Sequence, residues 1–184
     1  PAGWRWSAAH LPRGCVLLQL PRELLPHEFT HSWNGKYRRP ADLWTPNYNV
    51  PMRDSLLWMY EGQTQFWGHV LAVRSGLTTP AQARHTLASI AASNELRSGR
   101  AWRSLQDTTN EGVINSRDKA WRDWQRGVDY YDEGLLIWLD TDSLIREKSG
   151  DKRSIDDFAA IFFGAPHAEQ RDGVVLPRPY VFED

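Results

Sequence analysis

The string His27, Glu28, Phe29, Thr30, His31 places two imidazoles and a carboxylate within five residues. Residues four apart on an α-helix lie on one face, one turn apart, so both imidazoles can reach a single metal ion while Glu28 points toward the same place. This is the H-E-x-x-H arrangement of zinc hydrolases. Three protein ligands and one open position leave the ion with a bound water whose pKa falls to about 7. A nearby carboxylate then takes the proton, and Glu28 is the carboxylate so placed. The bland alternative is a polar helix face carrying two solvated histidines, and the neighbouring residues weigh against it. Phe29 and Trp33, four apart, are expected to anchor the helix in a core and leave the histidines on an adjoining, partly buried face, where each ring needs a partner. Pro26 suits a first helical turn, and Gly35 with Pro40 offers a stop.

A third ligand has to come from elsewhere. The extended pattern H-E-x-x-H-x-x-G-x-x-H would need glycine at 34 and histidine at 37, and the chain has Asn34 and Tyr37. The next candidate is Glu61, within LLWMYEGQTQFWGHVLAVRSG, where Leu56, Leu57, Tyr60, Phe66, Trp67, Val70, Leu71 and Val73 recur at broadly helical spacing. A carboxylate among large apolar side chains carries a heavy desolvation penalty unless it is paired or bound to metal. The alternatives are exposure, or a salt bridge to Arg53 or Arg74. Two histidines and one glutamate from consecutive helices would make a His-His-Glu site for one Zn²⁺ per chain.

Four ordered blocks between about Leu24 and Gly164, HEFTHSWNGK, WMYEGQTQ, RAWRSLQDTTN and YYDEGLLIWLDTDSLIREKSG, resemble the glycyl aminopeptidase family of gluzincin zinc metallopeptidases. Full-length members of that family often carry a PDZ domain. The resemblance implies a mainly α fold, the helical lower subdomain of a thermolysin-like catalytic domain. It also implies His27, His31 and Glu61 as zinc ligands and Glu28 as general base. Related gluzincin aminopeptidases use a tyrosine in a Y-x-K-G segment to hydrogen-bond the tetrahedral oxyanion, and Tyr131, Asp132, Glu133, Gly134 is the matching string here. A phenol beside the metal can stabilise charge building on the carbonyl oxygen in a water-poor cleft. The adjacent Tyr130 is the alternative donor, and either ring could simply pack. Glu133 departs from the lysine common in relatives, and its expected role is to set substrate or surface charge. The activity implied is hydrolysis of peptides by an aminopeptidase favouring small N-terminal residues, glycine or alanine. Two alternatives stay open: an endopeptidase of the same fold, and a non-catalytic piece that binds zinc or peptide.

The elements expected to position these residues are helical. One helix covers residues 53 to 75, and a second starts at Thr79 and Pro80 and runs to about Arg97. Residues 98 to 127 read as a long loop with short helical pieces. Helix returns from Tyr130 to Glu147, with Leu135, Leu136, Trp138, Leu139 and Ile145 toward a core. Ser154 and Asp157 form a capping box for a helix ending at Gly164. The chain divides into a divergent segment 1–20, a helical catalytic domain 21–165 and a tail 166–184, whose RPYVFED is a candidate short strand. Segment 1–20 lacks the string that relatives use to hold the substrate backbone and its free amine. Alternating strand patterns are so few that the β-rich upper subdomain of thermolysin-like enzymes is largely missing.

A chain of 184 residues, 41% hydrophobic and 24% charged, is one domain's worth with enough apolar material for a core. With 22 basic and 23 acidic residues, it has no electrostatic footprint for nucleic acid. The one basic patch, Lys36, Tyr37, Arg38, Arg39, is expected to complement the end of the metal helix, with binding of a substrate carboxylate as the alternative. No apolar run is long enough to span a bilayer, in line with a mean hydropathy of -0.59. A single cysteine, Cys15, excludes an internal disulfide and a cysteine zinc site. The chain starts at Pro1, so it reads as a fragment of a catalytic domain or a processed piece whose signal peptide, if any, lies outside it, and the compartment stays open between bacterial periplasm and cytoplasm. Most of the ten tryptophans are expected in the core, with Trp33, Trp58 and Trp67 candidates for walling the pocket. His10, His69, His85 and His167 lack metal spacing, although His69 shares the Glu61 helix. Asn34 and Asp107 are candidates either to orient a zinc-bound histidine or to cap a loop.

Overall fold

Glycines set the helix spacing in this protein. A computed structural model describes residues 21–109, 124–164, 170–171 and 173–184. Its two longest helices, α2 (Leu57–Arg74) and α5 (Asp132–Ser149), cross at Gly62 and Gly134. A Cβ added to Gly62 would lie 2.5 Å from the Gly134 Cα, and one added to Gly134 would lie 2.6 Å from the Gly62 Cα, so the backbones touch where no side chain intervenes. The short α1 (Leu24–Thr30) rests on α2 in the same way, at Gly68, whose Cβ would meet the Glu23 carbonyl and the His27 Cβ at 3.1 Å. Around the α2–α5 crossing, Phe66 and Trp67 pack with Leu135, Trp138 and Ile155 as the main core. Each such side chain contributes roughly 1.5–3 kcal/mol by burial.

The helix boundaries follow local chemistry. α3 (Pro80–Glu95) opens with a reciprocal capping box: Thr79 Oγ1 accepts from the Gln82 N–H at 3.2 Å, and Gln82 Oε1 accepts from the Thr79 N–H at 3.1 Å. α6 (Ile155–Phe163) opens with the expected box of Ser154 and Asp157. α5 ends at Gly150, left-handed at φ 60°. The stretch after α3 carries a 3-10 turn (Ser98–Ala101) and the short α4 (Leu105–Thr109), the helical pieces expected there. The tail supplies a two-residue hairpin, β2 (Gln170–Arg171) with β3 (Val174–Val175), and a strand, β4 (Arg178–Tyr180). β4 runs parallel to β1 (Arg38–Pro40), pairing Arg38 with Arg178 and Pro40 with Tyr180. Leu56, Phe162 and Tyr180 form a second core under this pair. The fold is mainly α, as expected, and no helix among the described residues is long and apolar enough to cross a membrane.

Several expectations need correction. Phe29 and Trp33 do not enter the core. They are 59% and 42% exposed and pack edge to face on each other at 5.0 Å, and Leu25 on the same helix is 69% exposed. α1 is seven residues long, and the face it lays on α2 is that of Pro26, His27 and Thr30. Tryptophan burial is mixed: Trp67 and Trp138 are buried, Trp58 is half-buried, and Trp33, Trp44, Trp102 and Trp124 are exposed. Trp67 sits in the α2–α5 core rather than in a pocket wall. Arg38 is buried, donates to the Phe162 carbonyl at 3.1 Å and lies over the Phe162 ring, so it is a structural cation rather than part of a surface patch. Expectations for segment 1–20, Cys15, His10, Trp121 and His167 fall outside the described residues.

Candidate metal centre

α1 positions the histidine pair. The His27 N–H donates to the Glu23 carbonyl at 2.9 Å and the His31 N–H to the His27 carbonyl at 3.3 Å, so the two rings stand one turn apart, 4.9 Å between centroids and nearly perpendicular. Because α1 lies so close to α2 at Gly68, both rings reach Glu61 on α2. Glu61 Oε2 is 3.4 Å from His27 Nε2 and 3.5 Å from His31 Nε2. Among the described residues, His27, His31 and Glu61 are the group whose ligating atoms, all within 4.8 Å of one another, could hold a metal ion. His27 is buried, and the His31 and Glu61 side chains are 17% and 13% exposed.

The lone pairs test whether a cation fits. His31 Nδ1 lies 3.0 Å from the Asn34 carbonyl oxygen, which can only accept, so in the neutral ring Nδ1 carries the hydrogen and Nε2 turns a lone pair toward Glu61. Glu61 Oε2 is buried and has no hydrogen-bond partner. Acceptors that converge in this way repel one another unless a proton or a cation lies between them. Burial pushes the Glu61 carboxyl up, but the two imidazoles outweigh it and leave it below its ordinary value. Burial pulls His31 down, but Glu61 and the Asn34 carbonyl outweigh it and leave it above 6.5. Both directions mark a site that favours positive charge beside an ionised carboxylate.

Glu28 is exposed on α1, and its charge reaches His31, Tyr60 and Tyr131. Tyr131 stands at the start of α5, its ring 6.0 Å from that of His27. Burial, then the charge of Glu61, pushes its phenol up, so it stays protonated and able to donate at neutral pH. Tyr130 is buried, with its ring 4.8 Å from Tyr131. An ionic network holds this end of α5. Arg97 meets Asp129 at 2.7 Å, Arg126 meets Asp129 at 3.4 Å, and Glu133 is gripped by Arg126 and by Arg100 at 3.0 Å. Glu133 is therefore buried among arginines, not the substrate or surface charge expected.

Some residues the sequence left in minor roles turn out to matter. Tyr60, read as one more apolar helix position, stacks on His31 at 5.0 Å, and burial pushes its phenol up to about 12. Asn34 does orient His31, through its backbone carbonyl rather than its side chain. Asp107 caps α4 with Ser104, the local role. His69 is buried with a pKa lowered by burial and stands outside the His27–His31–Glu61 group. It lines a groove of about 530 Å³ shared with Arg22, Glu23, Gln82 and His85.

A helical frame brings the H-E-x-x-H pair and a glutamate from the next long helix to one largely buried point, where the three side chains could hold a metal ion. The family model for M61 glycyl aminopeptidase matches residues 21–137, more than half of the chain, and the chain belongs to that peptidase family. The match runs from ahead of α1 into α5, and α6 and β4 lie beyond it. No curated protein matches the chain.

Proposed function

We propose that the chain is a zinc-dependent aminopeptidase that removes small N-terminal residues, glycine or alanine, from peptides. The observation that carries this reading is the convergence of His27, His31 and Glu61, with a buried carboxylate oxygen that has no hydrogen-bond partner. Two imidazoles and one carboxylate suit zinc and leave a fourth position open. When bound, zinc polarises the scissile carbonyl and makes water acidic enough to be deprotonated near neutral pH. Glu28, on the same helix as both histidines, takes that proton and returns it to the leaving amine. Tyr131, kept protonated by burial and by the charge of Glu61, donates to the carbonyl oxygen as negative charge builds there. The preference for small N-terminal residues rests on the family's description as glycyl aminopeptidases.

Metal analysis with a glycyl-arylamide assay on the purified chain tests the proposal. Glu28→Ala should keep one zinc per chain and lose about 10²- to 10⁴-fold in kcat/KM. Undiminished activity in that variant would remove the mechanism. N-acetylation of a peptide should abolish its cleavage, and cleavage at an equal rate would reassign the site to an endopeptidase. Zinc without turnover in the unaltered chain would reassign it to a binding module.

A further inference from the structure

We propose that the C-terminal strand β4 is a positioning element of the metal centre, acting on His31 through Tyr180 and Asn34. The proposal rests on the reading of His31 as a ligand. Asn34 is fully buried, and its carbonyl accepts the His31 Nδ1–H at 3.0 Å. Its side-chain amide is surrounded by partners of the right kind. Nδ2 faces three acceptors, the Tyr60 carbonyl at 2.9 Å, Gln63 Oε1 at 3.2 Å and Thr64 Oγ1 at 3.3 Å. Thr64 sends its own hydrogen to the Tyr60 carbonyl at 2.7 Å, which leaves its oxygen free to accept. Oδ1 accepts the Tyr180 hydroxyl at 3.0 Å. Three acceptors at nitrogen and a hydroxyl donor at oxygen allow one orientation of the amide. Tyr60, Gln63 and Thr64 bracket Glu61 on α2, so Asn34 ties the ring of one candidate ligand to the turn that carries another.

Tyr180 closes this arrangement from the far end of the chain. It is 1% exposed, its ring packs against Phe162 at 5.2 Å, and its hydroxyl reaches inward to Asn34. β4 is held to the segment after Asn34: the Arg178 N–H donates to the Tyr37 carbonyl at 2.7 Å and the Ala41 N–H to the Tyr180 carbonyl at 2.9 Å. Between Asn34 and β1 the chain turns through Gly35 at φ 143°, where a Cβ would lie 2.7 Å from the Tyr60 hydroxyl, so this route allows no bulk. Removing the Tyr180 hydroxyl leaves a buried amide oxygen without its donor, so the Asn34 amide is held from the α2 side alone. The residue whose backbone carbonyl sets the His31 tautomer then loses one of its anchors, the one supplied by β4. Outer partners of a ligating histidine set its tautomer and orientation, and losing one typically costs 10- to 100-fold in metal affinity.

The test is Tyr180→Phe in the full chain, which removes one oxygen, compared with Phe162→Leu, which loosens the same apolar cluster and leaves the hydrogen bond in place. Zinc Kd is read by chelator competition, and the His31 tautomer by ring ¹⁵N shifts in zinc-free protein with the ring neutral. Tyr180→Phe should weaken zinc about tenfold and move His31 from the Nδ1–H form to a mixture of tautomers, while Phe162→Leu changes neither. A Tyr180→Phe variant with unaltered Kd and unaltered tautomer overturns the proposal. So does a Phe162→Leu variant that weakens zinc as much, because β4 would then act by packing alone. If the unaltered chain binds no zinc, the ligand reading fails, and the ring shifts still decide whether β4 positions His31.

Discussion

Glu61 and Glu133 each stand one residue before a glycine at which α2 and α5 touch, in the strings Tyr60-Glu61-Gly62 and Asp132-Glu133-Gly134. Both carboxylates are largely buried, yet their surroundings differ. Glu133 faces Arg126 and Arg100, and the neighbouring Asp129 faces Arg97 and Arg126. That cluster is closed by its own counterions, and its work is to hold the start of α5. Glu61 faces two imidazoles, one of which has spent its hydrogen on the Asn34 carbonyl, and its Oε2 has no hydrogen-bond partner. A closed charge cluster and a candidate metal site differ in the chemistry of their neighbours. Burial is the same in both, and each has a carboxylate oxygen without a hydrogen-bond partner, but the neighbours of Glu133 are permanently charged guanidiniums with no lone pair to offer a cation, whereas those of Glu61 are imidazoles.

That contrast breaks first at Glu61. Glu61→Gln should lower zinc affinity by on the order of 10³-fold, beyond the loss typical of an outer partner, while the zinc-free protein unfolds at an unchanged or higher urea concentration. Zinc binding at undiminished affinity would make Glu61 a structural residue like Glu133. At the other carboxylate the expectation is reversed. Glu133→Gln leaves the buried Arg126 with Asp129 as its remaining carboxylate and should cost about 1–3 kcal/mol in urea unfolding, with one zinc per chain retained; a cost well below about 1 kcal/mol would mean that water already solvates the network.

Between the two clusters stands Tyr131, carried by the end of α5 that the arginines hold. Tyr131→Phe should keep zinc and stability and lose about 10²- to 10³-fold in kcat on a glycyl arylamide. If Tyr130→Phe gives that loss instead, the donor is the neighbouring ring. The smallest effect belongs to an ion pair of the exposed kind. Arg74 and Asp156 meet at 2.7 Å with both side chains about half exposed, and the guanidinium holds the Asp156 carboxyl below its ordinary 3.8. A carboxyl depressed on folding contributes stability above its unfolded pKa and loses it as pH falls through the folded one. Arg74→Met should therefore cost up to about 1 kcal/mol at neutral pH, with the difference starting to shrink near pH 4 and vanishing only below the depressed pKa of Asp156.

Much of the site was legible because it is written in short-range patterns. The four-residue spacing of His27 and His31, the capping boxes at Thr79 and Ser154 and the lone acid in the apolar run around Glu61 each need only neighbours in sequence to be seen. The orientation of α1 was not legible. Its apolar Phe29 and Trp33 suggested the buried face, and the structure buries Pro26, His27 and Thr30 instead, because the choice was made by the close approach of α1 to Gly68. Glu133 looked like surface charge for a related reason: its arginine partners come from positions 100 and 126, which no periodicity links to it. Asn34 was singled out for its side chain, yet the atom that meets His31 is its carbonyl oxygen, which every residue type possesses.

Which residues share a helical turn follows from local order along the chain, since backbone hydrogen bonds four residues apart set that spacing wherever a helix forms. Local order thereby determined that two imidazoles and Glu28 would travel together, and that Glu61 would ride on a mostly apolar helix. That those helices meet is a matter of long-range packing. Such packing brought Glu61 to the imidazoles through glycines that let backbones touch, and set Tyr180 against Asn34 across 146 residues of chain. Contacts of that range depend on which surfaces pack together, and packing is a property of the whole fold that no local spacing records.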